Sequence, residues 1–258
     1  MALRGARLWA WGALLTLSAC SKPDPPARRT EPWLATPSAS GAFNVGAPRL
    51  YRFTSDSSIS FSVSGHKEKL NGHLPLASGE LHIDPRDLQQ TQANLTVDLT
   101  KLSIDTPPPS GLELGASSPD ALALQWLELG PQVPAERRAQ FTPARFELHA
   151  LENLSSTILL GGGKSGAVRA AAIGTLLIHG FRAPVRVEVS LRKLPASSDP
   201  ERVSIRSVGA LVVSLVPHDI TARDAAGVVD ALGAARAADW VGKTAHVQFE
   251  LVAQATGN

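Results

Sequence analysis

One cysteine, one methionine and one tyrosine are all that this 258-residue chain holds of those residue types, and aromatics make up only 5% of it. A lone thiol cannot cross-link a fold internally, so no disulfide framework is available. Acidic and basic residues nearly balance, 23 against 25, and the densest basic groupings are pairs such as Arg28-Arg29 and Arg137-Arg138. Affinity for a polyanion draws on clustered Lys and Arg that release counterions, so nucleic acid is not an expected partner. After the first twenty residues no stretch reaches the roughly 20 apolar residues that a helical membrane span needs. The seven histidines (His66, His73, His82, His149, His179, His218 and His246) show no short ligand spacing, and no free cysteine joins them, so neither a metal nor a cofactor is expected. Gly163-Lys164-Ser165 ends like a phosphate-binding loop, but Ile158 stands where that loop needs glycine. There is no G-x-S-x-G elbow, and no catalytic residue is assigned.

What the chain does have begins at its N-terminus. Arg4 and Arg7 precede an apolar run from Leu8 to Leu17, followed by Leu17-Ser18-Ala19-Cys20. That order is a signal peptide over residues 1–19. The residues before Cys20 resemble a lipobox, the small-residue site at which bacterial processing attaches a diacylglyceryl group to the thiol and then cleaves. Cys20 is therefore the expected lipidation site. One acyl chain binds a membrane only marginally, whereas two or more hold it stably, so the expected membrane partner is reached through acylated Cys20. Ser21 is compatible with delivery to the periplasmic face of the outer membrane, which makes the cell envelope the expected location. Loss of Arg4 and Arg7 takes the formal charge from +2 to zero. Residues 20–50 carry six prolines (Pro23, Pro25, Pro26, Pro32, Pro37 and Pro48) among Ser, Ala, Gly and Arg and read as a tether. Thirty flexible residues reach about 30 Å.

From residue 51 to 254 the dominant period is two. Ile59, Phe61 and Val63 alternate with serines; Leu95, Val97 and Leu99 alternate with Thr96, Asp98 and Thr100; Val185, Val187, Val189 and Leu191 alternate with Arg186, Glu188, Ser190 and Arg192. Phe146, Leu148 and Ala150, and then Val247, Phe249 and Leu251, repeat the pattern. These are half-buried strands. Ala167 to His179 and Val203 to Pro217 are apolar on both faces, as central strands are. Two segments read as helical, Asp120 to Leu129, with Asp120 as N-cap, and Asp224 to Trp240. Eight or more strands with one or two short helices point to an all-β antiparallel sandwich or closed barrel.

In serial order, Tyr51-Arg52-Phe53, Ser57-Ser58-Ile59-Ser60-Phe61-Ser62-Val63, Gly79-Glu80-Leu81-His82-Ile83-Asp84, Val97-Asp98-Leu99 through Leu102-Ser103-Ile104-Asp105-Thr106, Pro143-Ala144-Arg145-Phe146 and Gly174-Thr175-Leu176-Leu177-Ile178-His179-Gly180-Phe181-Arg182-Ala183-Pro184-Val185 resemble the YceI-like proteins. The resemblance runs from about Leu50 to Ala253. It implies an antiparallel lipocalin-like β-barrel that holds a lipophilic small molecule, a polyisoprenoid or another amphiphile. The chain departs from the pattern in a Pro- and Gly-rich insertion between Thr106 and Asp120 and in the segment from Pro217 to Trp240.

For a barrel that holds lipid, the candidate cavity residues are Ile59, Phe61, Val97, Trp126, Phe146, Leu148, Leu177, Val187 and Phe249. Alternation alone is equally compatible with a closed core, in which case the chain is a structural or interaction module that binds another envelope protein through its two departing loops. The oligomeric state is not encoded in the pattern. The lipidation reading is tested directly: Cys20→Ala is expected to move the protein from the membrane fraction to the soluble fraction, and retention of the variant with the membranes counts against an anchor at Cys20.

Overall fold

The computed structural model describes residues 48–65, 69–106, 118–159, 166–195, 201–231 and 242–256. The expected signal peptide, Cys20 and nearly all of the tether lie outside these residues, as do the insertion over 107–117 and Gly163-Lys164-Ser165.

The alternating segments form strands β1 (Arg49–Phe53), β2 (Ser58–Ser64), β3 (Lys69–Leu74), β4 (Leu76–Asp84), β5 (Asp87–Asp98), β6 (Ser103–Ile104), β7 (Pro143–Glu152), β8 (Val168–Ile178), β9 (Phe181–Lys193), β10 (Arg202–Ser207), β11 (Leu211–Ser214) and β12 (Thr244–Ala255). All pairings are antiparallel. Four pairs of consecutive strands are interrupted staves: β1 with β2, β3 with β4 across Pro75, β5 with β6, and β10 with β11. Counted so, the chain makes eight staves in up-and-down order, and the pairing of β1 with β12 closes the ring. The fold is the antiparallel lipocalin-like barrel expected from the resemblance.

β12 lies between two interrupted staves, and serine hydroxyls repair its ladder where those neighbours break. Ser57 Oγ accepts from the Val252 N–H at 3.0 Å, and Ser207 Oγ accepts from the Phe249 N–H at 3.1 Å. A buried backbone donor left without such a partner costs about 1–3 kcal/mol.

Within the barrel, one glycine sets how a ring lies. Gly174 faces Leu148 in register beside the Phe146–Leu176 pair, and a Cβ there would come within 2.6 Å of the Phe146 ring and 2.3 Å of the Glu147 carbonyl. The missing side chain lets the ring lie across β8.

Helix α1 spans Pro119–Trp126 and α2 spans Ala135–Phe141. The N-cap of α1 is Ser118, whose Oγ accepts from Ala121 N–H at 3.1 Å, and not Asp120 as the sequence suggested. Asp120 instead accepts the Ile104 N–H at 2.7 Å and ties α1 to β6. The helix expected from Asp224 is absent over its described part: residues 224–230 form turns and an isolated bridge between Arg223 and Val229. Asp224 Oδ1 accepts from the N–H groups of Ala226 and Val228 at 2.9 Å each, a local arrangement that competes with helix. Most of the remainder, 232–241, lies outside the described residues.

Candidate functional site

The two ends of the barrel are stopped by different chemistry. At the end where β4 turns into β5, Tyr51, Leu81, Ile83, Leu88, Leu191 and Val203 are all but fully buried, and Leu159 closes over them with its N–H on the Pro85 carbonyl at 2.7 Å. Burial, with Glu201 adding to it, pushes the Tyr51 phenol well above its ordinary range. Glu201 is in turn held by Lys193 at 3.0 Å and Arg49 at 3.2 Å. At the opposite end the α1–α2 segment lays Leu129 and Phe141 against Leu99 and Ala144, with Leu124, Leu127 and Ile178 packed around them.

Between these stoppers the interior is not filled. A cavity of about 150 Å³, measured as room for the centre of a water-sized sphere, runs among β5, β7, β8, β9, β11 and β12. Its walls carry no polar surface. Even Thr91, which borders it, turns its hydroxyl to the Leu88 carbonyl at 2.8 Å. An apolar cavity of about this size stays dry and accepts a small hydrocarbon.

Six of the nine sequence candidates meet here: Ile59, Val97, Phe146, Leu148, Val187 and Phe249. Three do not. Leu177 pairs with Arg145 and Arg182, whereas its neighbours Leu176 and Ile178 point inward and line the wall; the two-sided apolarity of β8 hid which parity faces the centre. Phe61 lies against Gly72, where a Cβ would be 2.6 Å from the ring, and packs at the margin of the core. Trp126 ends α1 and is half-buried away from the lining. Sequence reasoning also passed over the small residues Ala93, Ala144 and Ala172, which line the cavity and help leave it open.

Above the α1–α2 stopper lies a buried ionic cluster that no sequence spacing announces. Glu128 is fully buried; its Oε1 is 3.3 Å from Arg223 Nη1 and 3.5 Å from His179 Nε2, and its other oxygen meets Arg137. Arg223 also reaches Asp219 Oδ2 at 2.7 Å and the Gly227 carbonyl at 3.0 Å. His179 Nδ1–H donates to the His218 carbonyl at 3.0 Å, the hydrogen bond in the turn that the sequence suggested for it. Its ring stacks at a tilt on Phe141, centroids 4.1 Å apart. Glu128, His179 and Asp219 all adopt left-handed backbone, with φ of 55°, 51° and 54°. Such conformations cost of order 1 kcal/mol or more outside glycine and persist where surrounding contacts fix them. Three loops are thereby joined: the α1–α2 connection, the β8–β9 hairpin and the segment after β11.

Ligand atoms of Glu128, His179 and Asp219 lie within 4.8 Å of one another, close enough to share an ion. The two carboxylates are already balanced by two guanidiniums, so a divalent cation would gain no net attraction. The cluster is a latch holding the stopper to the barrel. Burial pushes both His179 and His218 below the usual imidazole range, with hydrogen bonds to backbone carbonyls only partly offsetting it.

No protein-family model and no curated protein sequence matches the chain. In structure it is similar to a polyisoprenoid-binding domain from Saccharophagus degradans implicated in plant cell wall breakdown, with a TM-score of 0.54 and 15% identity over 81% of this chain and 99% of that one. BcnA from Burkholderia cenocepacia aligns with a TM-score of 0.48 and 14% identity over 76% of this chain and 96% of that one. At such identity the likeness to the first is one of fold, and it agrees with the fold that the YceI-like resemblance implies.

Two outcomes are expected of the latch. Glu128→Gln leaves Arg137 and Arg223 facing a neutral group and should lower unfolding free energy by about 3–5 kcal/mol, read from urea melts. The unfolded histidines titrate near pH 6.5, whereas folded His179 and His218 resist the proton. Their share of stability is therefore complete above about pH 6.5 and declines as pH falls from there toward the lowered folded values. The urea midpoint should drop between about pH 7 and 5, and a His179→Asn, His218→Asn double variant should flatten that drop.

Proposed function

We propose that this chain is a lipid-anchored envelope protein of the YceI-like type that binds an apolar, isoprenoid-like chain inside its barrel, and that it acts by holding this ligand and not by catalysis. The observation that carries the reading is the void itself, an apolar and waterless space enclosed by a closed barrel with both ends stopped. Interiors normally reach crystal-like density, so unfilled room of this size between packed ends is a place for a guest. The fold shared with a polyisoprenoid-binding domain supports the same reading. Each methylene transferred from water into such a wall returns about 0.8 kcal/mol, so affinity needs no polar contact. Acylation at Cys20 and the Pro-rich tether would keep the barrel near a source of such lipids. The cavity also weighs against the alternative of a closed-core module.

Organic extraction of the purified full chain, followed by mass spectrometry, should yield a long-chain lipid near one equivalent, or the apo protein should take up an added prenol. Ala172→Leu and Val187→Phe, which fill the void, are expected to cut prenol binding about tenfold or more while melting within a few degrees of the parent. Absence of both bound lipid and prenol uptake in the parent chain defeats the proposal.

A further inference from the structure

The barrel wall is split on one side. β9 pairs with β10 only from Val189 to Lys193, and β11 pairs only with β12. The Val208 N–H reaches the Glu188 carbonyl at 2.8 Å; past that bond no ladder joins residues 181–187 of β9 to β11 among the described residues. The free edge is guarded against pairing with another strand. Pro184 has no N–H to offer, and Arg182, Pro184, Arg186 and Glu188 are exposed along it. Both lips of the split also form the cavity wall, Val187 and Val189 on one side and Leu211 and Val213 on the other.

Size makes this split consequential. A cavity of about 150 Å³ holds only a segment of a long hydrocarbon chain, and hydrophobic and ionic stoppers block both ends of the barrel. The remainder of such a chain has its way out between β9 and β11.

Outside this lip the surface changes character. Six large apolar side chains are markedly exposed among the described residues, and five of them, Val208, Val212, Val216, Val228 and Val229, fall within residues 208–229, each more than half exposed. The first three follow one another along β11 and its flanking turns. The last two sit on the loop that Arg223 binds back through Asp219 and the Gly227 carbonyl. The outward residues of the β9 lip, two arginines against one glutamate, carry a net charge of +1.

We propose that this valine-bearing face docks on the surface of a phospholipid bilayer, and that a single lipid chain passes between bilayer and cavity through the split between β9 and β11. The proposal rests on the reading of the cavity as a lipid site. It commits to a bilayer because the apolar patch is continuous with an apolar interior and the lip beside it is net cationic, complementary to phosphate headgroups. Exposed apolar groups around a stopped cavity place the ligand's source against its opening.

The test uses the full chain carrying Cys20→Ala, so that acylation does not supply the membrane contact. Phosphatidylcholine vesicles loaded with a fluorescent prenol serve as donor, and the rate of prenol transfer to the protein is followed; equilibrium uptake of the same prenol from dilute detergent is measured in parallel. Val212→Ser with Val216→Ser, and separately Val228→Ser with Val229→Ser, are expected to slow extraction from vesicles about tenfold or more while leaving uptake from detergent unchanged. All four sites are exposed, so folding is retained. Extraction by both variants at the parent rate, with detergent uptake intact, overturns the docking face alone. Failure of the parent to take up prenol from detergent overturns the cavity reading and this proposal with it.

Discussion

Closure of the sheet on itself is the constraint from which the rest of this structure follows. The pairs Tyr51↔Ala255, Arg52↔Gln254 and Phe53↔Ala253 join the first stave to the last, and without them eight staves would form an open sheet with one apolar face in water. Closing removes two edges and creates an inside. β12 bears the most of this, because β1 and β2 share one of its sides and β10 and β11 share the other. Each interruption lets a stave bend, and each leaves a place where β12 needs another partner. Ser57 and Ser207 supply it with side-chain oxygens.

Once an inside exists, its ends must be stopped, and the chain does so in two ways with different consequences. The Tyr51, Leu81, Ile83 and Leu88 end is held by contact area and changes little with pH or salt. The α1–α2 end is held by a carboxylate shared among two arginines and a histidine that arrive from separate loops. A buried ion pair adds little net stability over a hydrophobic equivalent, yet losing one partner is costly. Such a joint specifies one arrangement of three loops more than it strengthens the fold. It also concentrates left-handed backbone at Glu128, His179 and Asp219, where only the correct docking of all three satisfies the charges.

Much of the barrel was legible in the sequence because a strand's period fixes its face. Ile59, Val97, Phe146, Leu148, Val187 and Phe249 all stand on alternating segments, and all reach the cavity. Where alternation fails, so does the reading. β8 is apolar on both sides, its register with β7 shifts between Leu148 and Ala150, and Leu177 was accordingly placed on the wrong side. Helix α2 is seven residues of AERRAQF with one buried side chain, Phe141, too short to show a period. The segment after Asp224 has the alanine content of a helix, but its first acid turns on its own backbone. The latch was the least legible part, since Glu128, His179, Asp219 and Arg223 are brought together only by the fold. Asp219 beside His218 looked incidental, and its partner proved to be Arg223.

The cavity has an energetic meaning that the strand pattern alone does not carry. Void volume in a protein interior costs about 24 cal/mol per Å³, so about 150 Å³ corresponds to a loss of about 3–4 kcal/mol relative to a filled core. That is a substantial fraction of the 5–15 kcal/mol that typically separates folded from unfolded domains. The means of filling it are at hand, since Ala93, Ala144 and Ala172 each stand on the wall where a leucine would project into the space. About five methylenes of a guest at about 0.8 kcal/mol each would recover the whole deficit. An interior left short by that amount, with small side chains at the points that could close it, is energetically complete only when something else occupies it.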